Sequence, residues 1–373
     1  MEVFTSYHNI VSPLGFTSEE NYDAVLNGNT GVKKMTLDKL NETFCLAAIA
    51  PEKINAFKKN YVGFEKLSKL ELLSIISIQN VLDQSKISLS DKKSLLIYST
   101  TKGNIDALES AHPEKSYLNS LANTIGNYFN AVNKPLVLSN ACISGLLAII
   151  MAKRLIESGQ YNTIVVCGGD IISEFTVSGF KSFNALSSEP SKPFDKDRTG
   201  INLGEAVATI VITNNRNLKT DDSAIVVSGA GANDANHISG PSRTGDGLFL
   251  SLQRTMKDQK EEIGFINAHG TATPFNDDME SVAFERFGYT KIPVNSLKGY
   301  YGHTLGAAGI LETIISLQAL KNDQLIYSAG FKEKGLAGNI EIIEKNKAKP
   351  MKAFLKTASG FGGCNAAALF KKM

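Results

Sequence analysis

Short β-branched runs alternate with helical stretches along the whole 373-residue chain, and this alternation narrows the folds open to it. Strands are expected at Ser94–Ser99, Pro135–Ser139, Thr163–Cys167, Ala206–Thr213, Ala224–Ser228, Gly264–Asn267 and Phe354–Thr357. Helices are expected at Glu65–Gln84, Ser144–Glu157, Asp277–Phe287 and Leu305–Lys321. The pattern predicts an α/β fold whose central sheets are covered by helices. The polar run Asn214–Ser223, just after one strand and just before another, is the best internal boundary. It separates residues 1–215 from 216–373, each long enough for a core of its own.

Composition excludes several functions. The balance of 39 Lys and Arg against 37 Asp and Glu leaves a charge of +2, too small for a protein held to nucleic acid or membrane electrostatically. Four cysteines (Cys45, Cys142, Cys167 and Cys364) lie far apart with no metal-ligand spacing, which predicts free thiols and no metal. The N-terminus lacks the profile of a signal peptide. The most apolar stretch, 136–152, is broken by Ser139, Asn140 and Ser144 and reads as a buried strand and helix. A cytoplasmic protein is expected.

One internal echo bears on chemistry. Cys142-Ile143-Ser144-Gly145 precedes one apolar helix, and His303-Thr304-Leu305-Gly306 precedes another. In each half a reactive side chain stands three residues before a glycine, at the mouth of a buried helix. A duplicated unit would bring Cys142 and His303 face to face across a pseudo-twofold axis.

Cys142 sits where a strand turns sharply into a helix N-terminus, and the helix dipole there is expected to lower the thiol pKa. Small buried core cysteines are equally common. His269, in Asn267-Ala268-His269-Gly270-Thr271-Ala272-Thr273-Pro274, and His303, in a glycine-rich loop, could both donate to one thioester oxygen and stabilise an enolate. Either alone would suit an ordinary hydrogen-bonded role. Lys298, in an otherwise apolar segment, needs a partner, and Glu312 on the following helix is the candidate. Ser359-Gly360-Phe361-Gly362-Gly363-Cys364 joins two apolar strands and offers flexible backbone with exposed N–H groups, or simply a hairpin turn. It lacks the Lys-Ser/Thr of a P-loop, and Gly229-Ala230-Gly231 lacks the third glycine of a dinucleotide fingerprint.

Together these segments resemble the β-ketoacyl-acyl-carrier-protein synthases, the elongating condensing enzymes of the thiolase fold. The resemblance runs in order through Ile10–Gly15, Asn140–Gly145, Pro193–Gly200 with Gly204-Glu205, Asp234–His237, His269–Pro274 with Asp277 and Glu280, Lys298–Gly309 and Gly360–Gly363. It implies two duplicated α/β halves in an αβαβα layered core. It also implies Cys142 as the acyl-accepting nucleophile, His269 and His303 as the pair that supports malonyl decarboxylation, and Lys298 with Glu312 as their charged support. Thr271 and Thr273 match hydroxyls that bind the pantetheine arm. Phe361 matches a gating phenylalanine beside an oxyanion hole made by its own N–H and that of Cys142, with Gly362 and Gly363 lining the substrate path.

The implied partners are acyl-carrier protein, in acyl and malonyl forms, and a second chain, giving a homodimer or a heterodimer with a chain-length factor. No cofactor is implied. The chain is abbreviated between Gly103 and Pro135 and after Ser187, as in shortened members of specialised pigment pathways. Lys58, Lys59, Lys66 and Lys69 are the best basic cluster for an acidic carrier. Two other functions stay open: a non-catalytic chain-length-factor-like partner, and a thiolase-like enzyme or Cys-His acyl hydrolase.

Overall fold

The computed structural model describes residues 1–38, 40–59, 66–237 and 240–373, the side chains of residues 56–59 and 109 excepted. Among the described residues, eleven strands form one hydrogen-bonded array. They are β1 (Phe4–Val11), β2 (Ser94–Ser99), β3 (Leu136–Leu138), β4 (Thr163–Asp170), β5 (Ala206–Thr213) and β6 (Ala224–Asn233), followed by β7 (Ile263–Asn267), β8 (Pro293–Asn295), β9 (Glu341–Ile342), β10 (Ala353–Gly360) and β11 (Cys364–Lys372). Their spatial order is β9-β8-β7-β10-β11-β6-β1-β5-β4-β2-β3.

Read outward from the centre, that order repeats. The sequence β1, β5, β4, β2, β3 on one side matches β6, β11, β10, β7, β8 on the other, with β9 added at the far edge. The orientations repeat as well. β2 runs parallel to β3 and β4, and β7 parallel to β8 and β10, while β5 and β11 are antiparallel to their neighbours. The two sets meet at one pair, Phe4 opposite Ile225.

Among the helices of the described residues are α1 (Lys69–Ser85), α2 (Leu118–Tyr128), α3 (Ser144–Glu157), α4 (Glu174–Ser182), α5 (Asp246–Thr255), α6 (Pro274–Arg286) and α7 (Ala308–Lys321). The central strands are largely buried because both of their faces are covered, and successive side chains alternate between two cores. Along β4, Ile164 and Val166 enter the middle core while Val165 and Cys167 enter an outer one with Leu72 and Ile75 of α1 and Leu121 of α2. Along β10 and β11, Phe354, Ala366 and Ala368 face the middle. Leu355, Ala367 and Leu369 pack against Leu248 and Leu252 of α5 and Phe284 of α6. The middle core holds Ile149 and Ile150 of α3 with Ile310, Ile314 and Ile315 of α7. The result is the αβαβα stack.

Helix α7 is buried around its whole circumference up to Leu320, which is why its sequence shows no polar stripe. Helix α1 begins at Lys69 rather than at Glu65, because Ser68 caps it in a reciprocal capping box with Glu71; Glu65 itself lies outside the described residues. The stretch from Leu305 opens as a 3-10 turn, Leu305–Ala307, before becoming α-helical. Among the described residues no helix is long and apolar enough to cross a membrane.

Candidate active site

Cys142 and His303 stand at the mouths of the two central helices, after β3 and β8, the third strand of each repeat. The turn into Cys142 is sharp: Ala141 adopts φ +44°, and Ser144 ties the loop by donating to the Ala141 carbonyl at 2.7 Å and accepting from Asn140 N–H at 2.8 Å. The helices meet through glycine. A Cβ on Gly145 would lie 2.8 Å from the Gly306 carbonyl and 3.1 Å from the Gly309 nitrogen, and one on Gly309 would strike the Leu146 nitrogen. Backbone contact at this crossing sets the separation between the turn that carries Cys142 and the turn that carries His303.

His269 follows β7. Two buried carboxylates one turn apart on α6 hold its loop: Glu280 accepts from the N–H of His269 at 2.8 Å and of Gly270 at 2.6 Å, and Asp277 accepts from Thr271 N–H at 2.9 Å. Burial pushes both carboxyls up, against the pull of these N–H donors. The reactive atoms of Cys142, His269 and His303 lie within 4.8 Å of one another. The imidazoles stand edge to face, centroids 5.1 Å apart. Both ring nitrogens of His303 are buried, and among the described residues neither has a hydrogen-bond partner.

Behind the histidines lies a buried ionic cluster. The Lys298 ammonium is 2.6 Å from one oxygen of Glu312, as expected, and the Lys356 ammonium is 2.7 Å from the other. Lys356, absent from the sequence assignment, also donates to the Thr357 carbonyl at 2.7 Å. Its signal was present: a charged residue on a strand buried on both faces has to find a partner. Burial alone would raise the Glu312 carboxyl, yet the two lysines outweigh it and hold it low. Two ammoniums against one carboxylate leave positive charge in the site. Burial first, then Lys298, lowers the pKa of both histidines well below the usual value, and Lys356 adds to the shift. Both are therefore neutral at neutral pH, each with one N–H to donate. That same positive field disfavours a cation among the three side chains, so no metal is assigned to them.

The helix-dipole expectation for Cys142 is corrected. Burial pushes the thiol up to about 11, against the opposing influence of Lys102, Lys298 and the Phe361 N–H. The resting sulfur is a thiol.

Cys142, His269 and His303 open into a cavity of about 560 Å³, also lined by Thr271, Thr273, Phe361 and Gly363. The two threonine hydroxyls lie 2.8 Å apart. Gly362 does not line it; its carbonyl accepts from the Asn233 amide at 2.8 Å, and its φ of +81° supports the turn instead. The Phe361 ring packs between Phe180 of α4 (centroids 5.5 Å) and Phe183 (5.3 Å), an aromatic roof that sequence reading missed. Cys364 donates weakly to the Phe361 carbonyl at 3.4 Å. Of the lysines expected to meet a carrier protein, Lys69 is paired with Glu205 at 2.6 Å, Lys66 is exposed, and the side chains of Lys58 and Lys59 lie outside the described residues.

The beta-ketoacyl synthase N-terminal domain family matches residues 9–217, and the C-terminal domain family matches residues 223–332. The chain belongs to the β-ketoacyl synthase family. Among curated relatives of this family, it is 28% identical to the 3-oxoacyl-[acyl-carrier-protein] synthase 2 of Vibrio cholerae, covering 98% of this chain and 97% of that one. It is 32% identical to the corresponding Synechocystis synthase over 62% of this chain and 60% of that one. Among solved structures, a β-ketoacyl synthase from Burkholderia phymatum superposes with a TM-score of 0.87 at 23% identity, covering 100% of this chain and 99% of that chain. A ketosynthase in complex with its chain length factor from Xenorhabdus doucetiae also gives 0.87, at 22% identity, covering 100% of this chain and 98% of that chain.

Proposed function

We propose that this β-ketoacyl synthase condenses an acyl thioester with malonyl-acyl-carrier protein, releasing carbon dioxide and a β-ketoacyl thioester two carbons longer. The observation that carries this reading is the convergence of a thiol and two neutral imidazoles on one cavity, backed by buried lysines.

In the first half-reaction a neutral imidazole takes the Cys142 proton. The sulfur attacks the acyl carbonyl, the bond to the carrier's thiol breaks, and that thiol leaves with the proton. In the second, the malonyl carbon–carboxylate bond breaks and its electron pair forms an enolate. The enolate oxygen accepts from His269 and His303, while the positive charge behind them favours the anion. The enolate carbon attacks the acyl-Cys142 carbonyl, whose oxyanion the N–H groups of Cys142 and Phe361 receive. Collapse expels the Cys142 sulfur as a thiolate, which takes a proton from solvent to restore the thiol. Thr271 and Thr273 hold the pantetheine arm, Gly363 shapes its path, and Phe361 gates the acyl channel.

On the same reading, residues 1–215 form the half with the nucleophile and 216–373 the half with the histidines, supported by the repeated strand order. The partners are a carrier protein and a second chain, either a copy or a chain length factor. Support comes from similar folds solved in such assemblies, including a ketosynthase in complex with a type II polyketide acyl-carrier protein. Cytoplasmic fatty-acid or polyketide synthesis is the setting.

Mixing the purified protein with an acyl-carrier thioester and reading its mass tests the proposal. Acylation at Cys142 followed by malonyl-dependent release supports it. No acylation points instead to a non-catalytic partner.

A further inference from the structure

Phe275 takes no part in the scheme above. It is the second residue of α6, two positions after Thr273, and it lines the same cavity as Cys142. Its side chain is 77% exposed; apart from Met1, no large apolar side chain among the described residues is more exposed. Cys142 is buried and Phe275 lies in water, so the ring marks the open end of the cavity. The backbone that carries it is fixed from within. The Pro274 carbonyl accepts from the Arg198 guanidinium at 3.3 Å, and the Asn276 amide donates to Asp277 at 3.1 Å and to Glu280 at 3.0 Å. Buried Asp277 also accepts from Phe194 N–H at 2.8 Å.

Phe183, half-exposed, lines the same cavity and leans on Phe361. Single exposed apolar side chains are ordinary, but these two rings border one reaction chamber. Charge is scarce there. Among the described residues that line the cavity there is neither Lys nor Arg, and Asp234 is the one carboxylate. An acidic carrier therefore meets no opposite charge where its arm enters. What this rim offers a partner is apolar surface.

We propose that Phe275 is an apolar docking anchor for the carrier protein, covered by aliphatic side chains that the carrier presents beside its pantetheine arm. This rests on the reading that the substrates arrive on a carrier. On that reading the thioester reaches the buried Cys142 sulfur while still tethered, so the carrier's surface around the arm comes to rest on the rim. Covering an exposed aromatic ring removes apolar area from water, and aromatic anchors carry a large share of the binding energy in protein interfaces. Phe183 adds a second apolar contact on the same rim. Salt does not screen such contacts as it screens paired charges.

Fluorescence anisotropy of a labelled holo-acyl-carrier protein, titrated with the full chain, reads the docking without turnover. Phe275→Ser should weaken binding about tenfold, and Phe275→Leu should stay within about threefold of the parent. The loss in the Ser variant should be the same at low and high salt. Acylation of Cys142 by octanoyl-pantetheine, which brings the arm without the protein, should keep the parent's concentration dependence. Both variants should melt with the parent, since the ring lies in water. Carrier binding that the Ser variant keeps in full, or that the parent lacks, would overturn the proposal. So would a loss that vanishes at high salt, or one shared equally by octanoyl-pantetheine, which would make the ring a wall of the channel. A protein that binds the carrier through Phe275 yet never condenses acyl groups would sink the proposed reaction and leave the docking role standing.

Discussion

The rings of His269 and His303 meet edge to face at 85°, one on the loop after β7 and the other at the mouth of α7. Among the described residues neither imidazole forms an ion pair with a carboxylate, and burial together with the nearby lysines pushes both towards neutrality. Two neutral N–H donors at one point suit an oxyanion that exists only briefly.

His269→Ala and His303→Ala should therefore each slow malonyl decarboxylation about 100- to 1000-fold, the usual cost of one oxyanion donor. Acyl loading of Cys142 should fall far less, because the remaining imidazole, also within 4.8 Å of the sulfur, can still take the thiol proton. Carbon dioxide release, measured beside acyl-enzyme mass, separates the two. Cys142→Ala should do the reverse, abolishing acyl transfer while slow decarboxylation persists.

Glu312 is shared, and that changes what a rescue requires. Glu312→Gln leaves two buried ammoniums without a counter-charge and should cost about 3–5 kcal/mol. Lys298→Met with Glu312→Leu still strands Lys356, so it should remain destabilised. Only the triple change, with Lys356→Met added, should restore the denaturation midpoint, and it should be inactive. Full recovery in the double variant would show that Lys356 is not part of the cluster.

The chain's acid response carries the histidines' signature. Burial, aided by Lys298, holds both imidazoles below the ordinary value of 6.5, so below about 6.5 the unfolded chain binds protons that the folded one refuses. Stability from this source is complete above that pH and is lost as pH falls. Asp277 and Glu280, pushed up, act in the opposite sense. The test is thus a difference: between about pH 7 and pH 5, His303→Gln should lose less stability than the parent. Equal losses in urea titrations would place His303 in ordinary solvent.

Phe361 fills the space between Phe180 and Phe183, so Phe361→Ala opens the roof over Cys142. Alkylation of the thiol should quicken, and malonyl should be decarboxylated before acyl loading without productive condensation. Single-turnover kinetics that keep the parent's rate and order of addition would reduce Phe361 to packing.

Much of this was legible in sequence for a physical reason. Elements buried on all sides carry dense apolar runs, so the strands β2 and β5 and the helix α3 were read with the bounds that the structure shows. Elements that are amphipathic or glycine-rich were not. α5, half exposed, was missed, and β6 continues past Ser228 to Asn233 through Gly229 and Gly231, which weaken any strand pattern. At the site, motif residues were found, but partners distant in sequence were not. Lys356 and Phe180 acquire meaning only when the fold brings them to Glu312 and Phe361. The thiol's ionisation was misjudged because a helix terminus is visible in a sequence, whereas the loss of water around one atom is not.

The glycine crossing of α3 and α7 has a consequence of its own. Two copies of one strand-turn-helix unit present equivalent doorways to a single chamber, and perfect symmetry would hang the same side chain in both. This chain breaks that symmetry with one sulfur and one imidazole, held at a spacing that no side-chain rotamer sets. An alanine at Gly309 would press on the Leu146 backbone and force the doorways apart. The chemistry would then fail by misalignment while each reactive residue remained in place.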